Sequence, residues 1–141
     1  MVAVRVAGGL EAPTRIDVEF YHCKFSRKAR AGGRIDDLYV VCGQAQTSIR
    51  WMSSHEKRTD LFTHLLRRES MRRAAGRPTR FERGDSRLVE RLREMTRTAR
   101  MVLKIFIVQP GVSKASISET QLYLLSVTEN YLMETCCRLP W

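Results

Sequence analysis

The alternation of apolar and polar residues is strongest between residues 15 and 25, where the sequence reads Arg-Ile-Asp-Val-Glu-Phe-Tyr-His-Cys-Lys-Phe. A period of two, together with β-branched and aromatic residues, predicts a strand. One predicted face carries Ile16, Val18, Phe20, His22 and Lys24. The opposite face carries Asp17, Glu19, Tyr21, Cys23 and Phe25.

Two further strands are expected. Residues 2–6 predict a short strand, and Gly8-Gly9 with Pro13 predicts a hairpin-like connection into the strand at 15–25. Residues 101–109 are a continuous apolar run that ends in Pro110-Gly111. Such a run predicts a strand that is buried on both faces.

The helical periods predict four helices. The first runs from Asp36 or Asp37 to Met52, with Asp36 as its N-cap, and the second from Asp60 to about Arg73. A third starts near residues 85–86, after a loop over 74–84. The fourth helix begins at the capping-box pattern Ser118-Glu119-Thr120-Gln121 and extends to about residue 135. The apolar stripe of the first helix is Leu38, Val41, Cys42, Ala45, Ile49 and Met52.

The predicted order is strand, strand, helix, helix, helix, strand, helix. This order indicates the α/β class, with a small mixed β-sheet flanked by helices. The 141 residues suffice for a single domain over 1–141. Because the first strand has no lead-in and no strand follows the last helix, we expect a domain truncated at both ends.

The formal net charge is +10, with 25 Lys and Arg residues against 15 Asp and Glu residues. The usual partner of such a surface is a polyanion, most often nucleic acid. A solubilising surface is the alternative. No run of about 18 apolar residues predicts a membrane span, and the start does not resemble a signal peptide. Four cysteines without metal-ligand spacing are expected as reduced thiols, so we expect a cytoplasmic protein.

Arginines crowd the second predicted helix and the loop after it. They include Arg67, Arg68, Arg72, Arg73, Arg77 and Arg80. Guanidinium groups suit phosphate geometry, so the cluster predicts a surface that follows the DNA backbone, with salt-dependent affinity. The alternative is a solvated helix followed by a solvated loop.

The stretch from Glu19 to Ser26, with residues 36–39 and 42–46, resembles the PD-(D/E)xK, restriction-endonuclease-like nucleases. More narrowly, it is similar to the nuclease region at the C-terminus of DEAD/DEAH-box helicases in restriction and phage-defence systems. Residues 61–69, 108–111 and 128–132 resemble the same region, so the resemblance covers nearly the whole chain. The resemblance implies that the chain binds DNA and that a helicase domain is a second partner.

The resemblance also implies a metal-dependent phosphodiester hydrolase. A carboxylate two residues before a lysine would hold Mg²⁺, which activates water and neutralises phosphate charge. The implied catalytic residues are Lys24 as electrostatic stabiliser, Glu19 and His22 toward the metal, and Gln44 in support. Each of these residues also has a purely structural interpretation. His22 would be a hydrogen-bonded histidine near the end of the sheet, and Lys24 would extend its amine to solvent. Glu19 would lie on a solvent-exposed strand face, and Gln44 on the surface of a helix.

Three departures weaken the catalytic interpretation. His22 stands where the superfamily usually has a carboxylate, and Glu19 lies on the face opposite Lys24 in a regular strand. The aspartate of the preceding strand is missing, and the chain ends where the resembled region continues. Three hypotheses remain: a Mg²⁺-dependent endonuclease if the site is completed, a catalytically inactive basic nucleic-acid-binding fragment, and a basic α/β adaptor without nuclease ancestry.

Overall fold

A computed structural model describes residues 1–24 and 34–137. Within these ranges the chain forms three strands and four α-helices. The strands are β1 (Val2–Ala7), β2 (Arg15–Cys23) and β3 (Arg100–Val108). The helices are α1 (Asp36–Ser48), α2 (His55–Ala74), α3 (Ser86–Met95) and α4 (Glu119–Cys137). A 3-10 turn, Ile49–Met52, extends α1.

The strands form a mixed sheet in the order β1-β2-β3. β1 pairs with β2 in antiparallel fashion, with Val4 opposite Val18. β3 returns after three helices and pairs with β2 in parallel, with Leu103 beside Val18. The mixed α/β class predicted from the sequence is therefore confirmed, because helices connect the two parallel strands.

One face of the sheet is covered by helices, and we call it the covered face. Ile16, Val18 and Phe20 lie on it, packed with Val2, Val4 and Val6 of β1 and with apolar residues of α2 and α3. Phe62, the largest fully buried side chain, belongs to the same core. A second cluster joins α1 and α4 to the C-terminal end of β3 through Leu38, Leu124 and Ile107.

The opposite face carries no buried apolar cluster among the described residues, and we call it the open face. Its residues are Ala3, Arg5, Ala7, Arg15, Asp17, Glu19, Tyr21, Cys23, Arg100, Val102, Lys104, Phe106 and Val108. Phe106 and Val108 expose 39% and 44% of their surface. The expectation that β3 is buried on both faces is wrong, because Lys104 and Phe106 alternate with the inward side chains and face solvent.

The observed starts of α1 and α2 differ from the predicted ones, whereas the start of α3 agrees with its prediction. Ile35, not Asp36, is the N-cap of α1, and Asp36 lies in the first turn. α2 begins at His55 rather than Asp60, because the Ser54 side chain accepts a hydrogen bond from the Lys57 N–H. Asp85 caps α3 as expected for a helix starting near residues 85–86.

No helix among the described residues is long and apolar enough to cross a membrane. Cys23 and Cys42 are free thiols. The basic, glycine-containing segment 27–33 and the end of the predicted strand, at Phe25, lie outside the described residues.

Candidate nucleic-acid interface

Glu19 lies on the open face, where its carboxylate is held by neighbouring side chains. The Tyr21 hydroxyl donates a hydrogen bond of 2.7 Å to Glu19 Oε2. The Arg5 guanidinium lies 3.9 Å from the same oxygen. The hydrogen bond to Glu19, followed by burial, raises the pKa of Tyr21 above its ordinary value. Glu19 is 5% exposed, and its carboxylate is already engaged by Tyr21 and Arg5.

Asp17 is engaged in the same way by a residue of its own strand. Arg15 donates to Asp17 Oδ2 from both Nε and Nη2, at 3.1 and 3.0 Å. The Asp17 residue is 8% exposed, whereas the Arg15 side chain is 49% exposed. The two acidic residues of β2 are thus paired with arginine side chains. The arginines are exposed to solvent, whereas the carboxylates are not.

His22 lies on the covered side of β2 and faces α1. Its Nε2 lies 2.9 Å from the Ser48 hydroxyl, which donates to the Gln44 carbonyl, also at 2.9 Å. Burial, followed by the positive amino terminus, lowers the pKa of His22 below its ordinary value. These contacts are those of a hydrogen-bonded histidine near the end of the sheet, which is the structural interpretation.

Lys24 follows the last residue of β2 and is exposed. Its backbone N–H donates to the Val108 carbonyl at 3.4 Å, which holds the chain beside β3. Gln44 is also exposed, and its carbonyl accepts the bond from Ser48. The structure thus brings His22 and the Gln44 turn of α1 together, with Lys24 two residues beyond, while Glu19 faces the other way.

The residues present do not fit a Mg²⁺ ion. A hard cation takes several oxygen ligands that converge on one point. Glu19 and His22 project from opposite faces of β2, and the Glu19 carboxylate is committed to Tyr21 and Arg5. Across the described ranges, no group of three or more His, Cys, Asp or Glu residues is placed to hold a metal.

The arginines of α2 and its following loop form the second candidate site. Arg67, Arg68, Arg73, Arg77 and Arg80 are exposed, and we call these five residues the arginine surface. Arg72, predicted to bind nucleic acid with them, is half-buried and donates from Nε to the Pro78 carbonyl. Its visible role is to hold the loop against the end of the helix.

Glu69 fixes the loop from the other side. Its side chain is 4% exposed, and its Oε2 accepts the Arg80 N–H at 3.2 Å. The Arg73 Nε lies 3.8 Å from Oε1. The Thr79 hydroxyl, followed by the Arg80 N–H and the charges of nearby arginines, lowers the pKa of Glu69 despite an opposing effect of burial. An ionised carboxylate therefore ties residues 79–80 back onto α2.

Sequence reasoning missed both Glu69 and Ser48. Glu69 contacts a backbone group 11 residues away, and Ser48 contacts a side chain 26 residues away. A lone acid inside a run of arginines, Arg67-Arg68-Glu69, was the available signal for Glu69. Ser48 carries no comparable signal, because serine is also an ordinary residue near a helix end.

No protein-family model, curated protein or solved structure matches this chain.

Proposed function

We propose that the chain is a nucleic-acid-binding domain, with DNA as its partner, that does not itself cleave the bound strand. The observation that supports this proposal is the anchoring of the loop after α2 by Glu69. The anchored loop holds the Arg80 backbone against Glu69, which follows Arg67 and Arg68 in α2. Cationic side chains on a backbone that is already held in place lose less conformational freedom on binding a polyanion than those on a mobile segment do.

The binding energy in this proposal is mainly electrostatic. Each phosphate neutralised on duplex DNA releases condensed counterions, so the logarithm of the affinity falls linearly with the logarithm of the salt concentration. A net charge of +10 adds long-range attraction to the local contacts. We expect tight binding at low salt and steep weakening as salt is raised.

Fluorescence anisotropy with a labelled duplex tests the proposal. The double variant Arg67→Gln/Arg68→Gln should weaken binding and reduce the salt slope by up to about 1.8, which corresponds to two lost phosphate contacts. The matched control is Arg50→Gln/Arg97→Gln, which removes the same charge from exposed positions outside the arginine surface. Equal effects of the two double variants would contradict the assigned surface, and absent binding at low salt would contradict the proposal.

A second pair of variants tests the anchoring itself. Glu69→Gln and Glu82→Gln both add one unit of positive charge within or beside the loop, but only Glu69 is buried and bonded to it. We expect weaker duplex binding by Glu69→Gln than by Glu82→Gln, because the loop loses its ionic anchor. If both variants bind more tightly than the natural sequence to the same extent, charge alone governs affinity and the anchoring has no role.

The second candidate is the nuclease domain of a helicase-linked defence protein, with a restriction-endonuclease-like fold. The observation that favours it is the meeting of His22 with the Gln44–Ser48 turn of α1, beside Lys24. Metal-dependent cleavage would require carboxylates beyond those that the described residues bring together. Assays of strand cleavage with Mg²⁺ and Mn²⁺ separate this candidate from the first.

A further inference from the structure

The open face combines aromatic and cationic side chains in a way that the arginine surface does not. Tyr21 of β2 and Phe106 of β3 are neighbours in the parallel register. Their rings stack with centroids 4.7 Å apart and planes inclined by 12°. Phe106 nevertheless exposes 39% of its surface. Part of this large apolar ring is therefore accessible and is not packed against the rest of the described chain.

Cationic side chains lie on the same face as this aromatic pair and extend from it toward the N-terminal ends of β2 and β3. The open face of the described strands carries four cationic residues against two carboxylates: Arg5, Arg15, Arg100 and Lys104 against Asp17 and Glu19. The carboxylates are buried beneath their partners, whereas the Arg5 side chain is 75% exposed. The charge that this face presents to solvent is therefore positive.

The carboxylates also orient the cations. Arg15 uses Nε and Nη2 to bond Asp17, and a guanidinium carries five N–H donors, so further donors remain for a second partner. Arg5 is drawn toward Glu19 while most of its side chain stays in water. Buried acids that hold exposed arginines in place favour a ligand that accepts hydrogen bonds and carries negative charge.

We propose that the open face binds single-stranded DNA, with bases stacked on the Tyr21–Phe106 pair and phosphates held by Arg5, Arg15 and Lys104. Aromatic side chains on a basic surface bind single strands because every base has a ring face to stack. A duplex keeps its bases stacked on one another and cannot offer them to these rings. This site goes beyond the proposed function, since it lies on another surface and takes another form of nucleic acid.

The test uses a labelled oligothymidine of about 12 nucleotides, a length suited to one small binding domain. Phe106→Leu should weaken its binding by about fivefold or more, because the stacking surface is lost. Tyr39→Leu is the matched control: it removes an aromatic that is 67% exposed on α1, away from the sheet. Both variants should keep the same duplex affinity within about twofold, because neither alters the arginine surface.

A second readout maps the contact directly. Photocrosslinking with an oligothymidine that carries iodouracil should label Tyr21 or Phe106, as identified by mass spectrometry. Arg5→Gln/Lys104→Gln should reduce the salt slope for the single strand by about 1.4, from two lost phosphate contacts. This variant keeps both rings, so it tests the electrostatic part of the site separately.

Three results would overturn the inference. Phe106→Leu could bind the oligothymidine as tightly as the natural sequence does, or crosslinks could fall on the arginine surface instead. Clearly tighter binding of the corresponding oligouridine would show that RNA, not DNA, is the ligand. Duplex binding is measured on the same samples, so failure here leaves the proposed function standing, and failure of duplex binding alone leaves this site standing.

Discussion

The covered and open faces of the sheet come from the same three strands but follow different rules. The covered face is apolar, and Ile16, Val18 and Met101 on it are fully buried. On the open face, Asp17 and Glu19 are nearly as inaccessible, but they are buried under arginine and tyrosine rather than under a helix. Burial on the covered face is hydrophobic, whereas burial on the open face depends on hydrogen bonds and ion pairs.

This difference changes the meaning of the ionisable residues in β2. In sequence they form one dense group between Asp17 and Lys24. In the fold they are divided, with Asp17 and Glu19 on the open face, His22 against α1 and Lys24 beyond the strand end. A group of residues that is compact along a strand is therefore not a site unless its members share a face.

The largest expected effect comes from exchanging valine for alanine on each face. Val18→Ala removes methyl groups from a fully buried position and should cost about 2–3 kcal/mol, from lost transfer energy and a cavity. Val102→Ala makes the same change at a half-buried position of the open face and should cost less than about 1 kcal/mol. Urea unfolding measures both. Equal losses would show that the open face is packed like a core.

An intermediate effect is expected from His22. Burial lowers its folded pKa below the unfolded value of about 6.5. The unfolded state therefore binds a proton first as the pH falls, so stability is full above about pH 6.5 and is lost toward the folded pKa. His22→Gln should lose less stability than the natural sequence between pH 7.5 and 5.5, as read from urea midpoints. An identical pH dependence would show that His22 is as solvated as in the unfolded chain.

The smallest effect is expected on the open face itself. Tyr21→Phe keeps the ring that stacks on Phe106 but removes the hydroxyl that donates to Glu19. We expect a small fall in melting temperature, below that of Val18→Ala, because Glu19 keeps the nearby Arg5 guanidinium as a partner. Tyr39→Phe, at an exposed position of α1, is the control and should leave the melting temperature unchanged. A loss as large as that of Val18→Ala would place Glu19 in a tightly coupled network.

The parts of the fold that depend on local pattern were predictable from the sequence. Alternation in β2 correctly divides Ile16 from Asp17, and the apolar stripe of α1 is buried as expected. The capping box before α4 forms in both directions, with Gln121 N–H donating to Ser118 Oγ and Ser118 N–H to Gln121 Oε1. Residues that are close in the sequence determine these features, so a single sequence is enough to predict them.

The rest depends on contacts between residues that are distant in sequence. The apolar run of β3 could not reveal that no helix covers one of its faces among the described residues, although Lys104 within the run was a hint. The anchoring of Arg80 by Glu69, and of His22 by Ser48, requires that helix and loop or strand already meet. The periodicity of apolar residues carries no information about contacts between distant residues. The arrangement of the candidate sites therefore could not be predicted from the periodicity.

The most direct test of the account measures binding and cleavage of plasmid DNA in the same samples. At low salt, with Mg²⁺ or Mn²⁺ present, the protein should retard supercoiled plasmid on a gel without nicking it faster than the protein-free control. The physical reason is that Glu19 and His22 do not converge on one metal position. Robust nicking that disappears in Lys24→Ala would contradict the account, because it would require a working metal site at the end of β2.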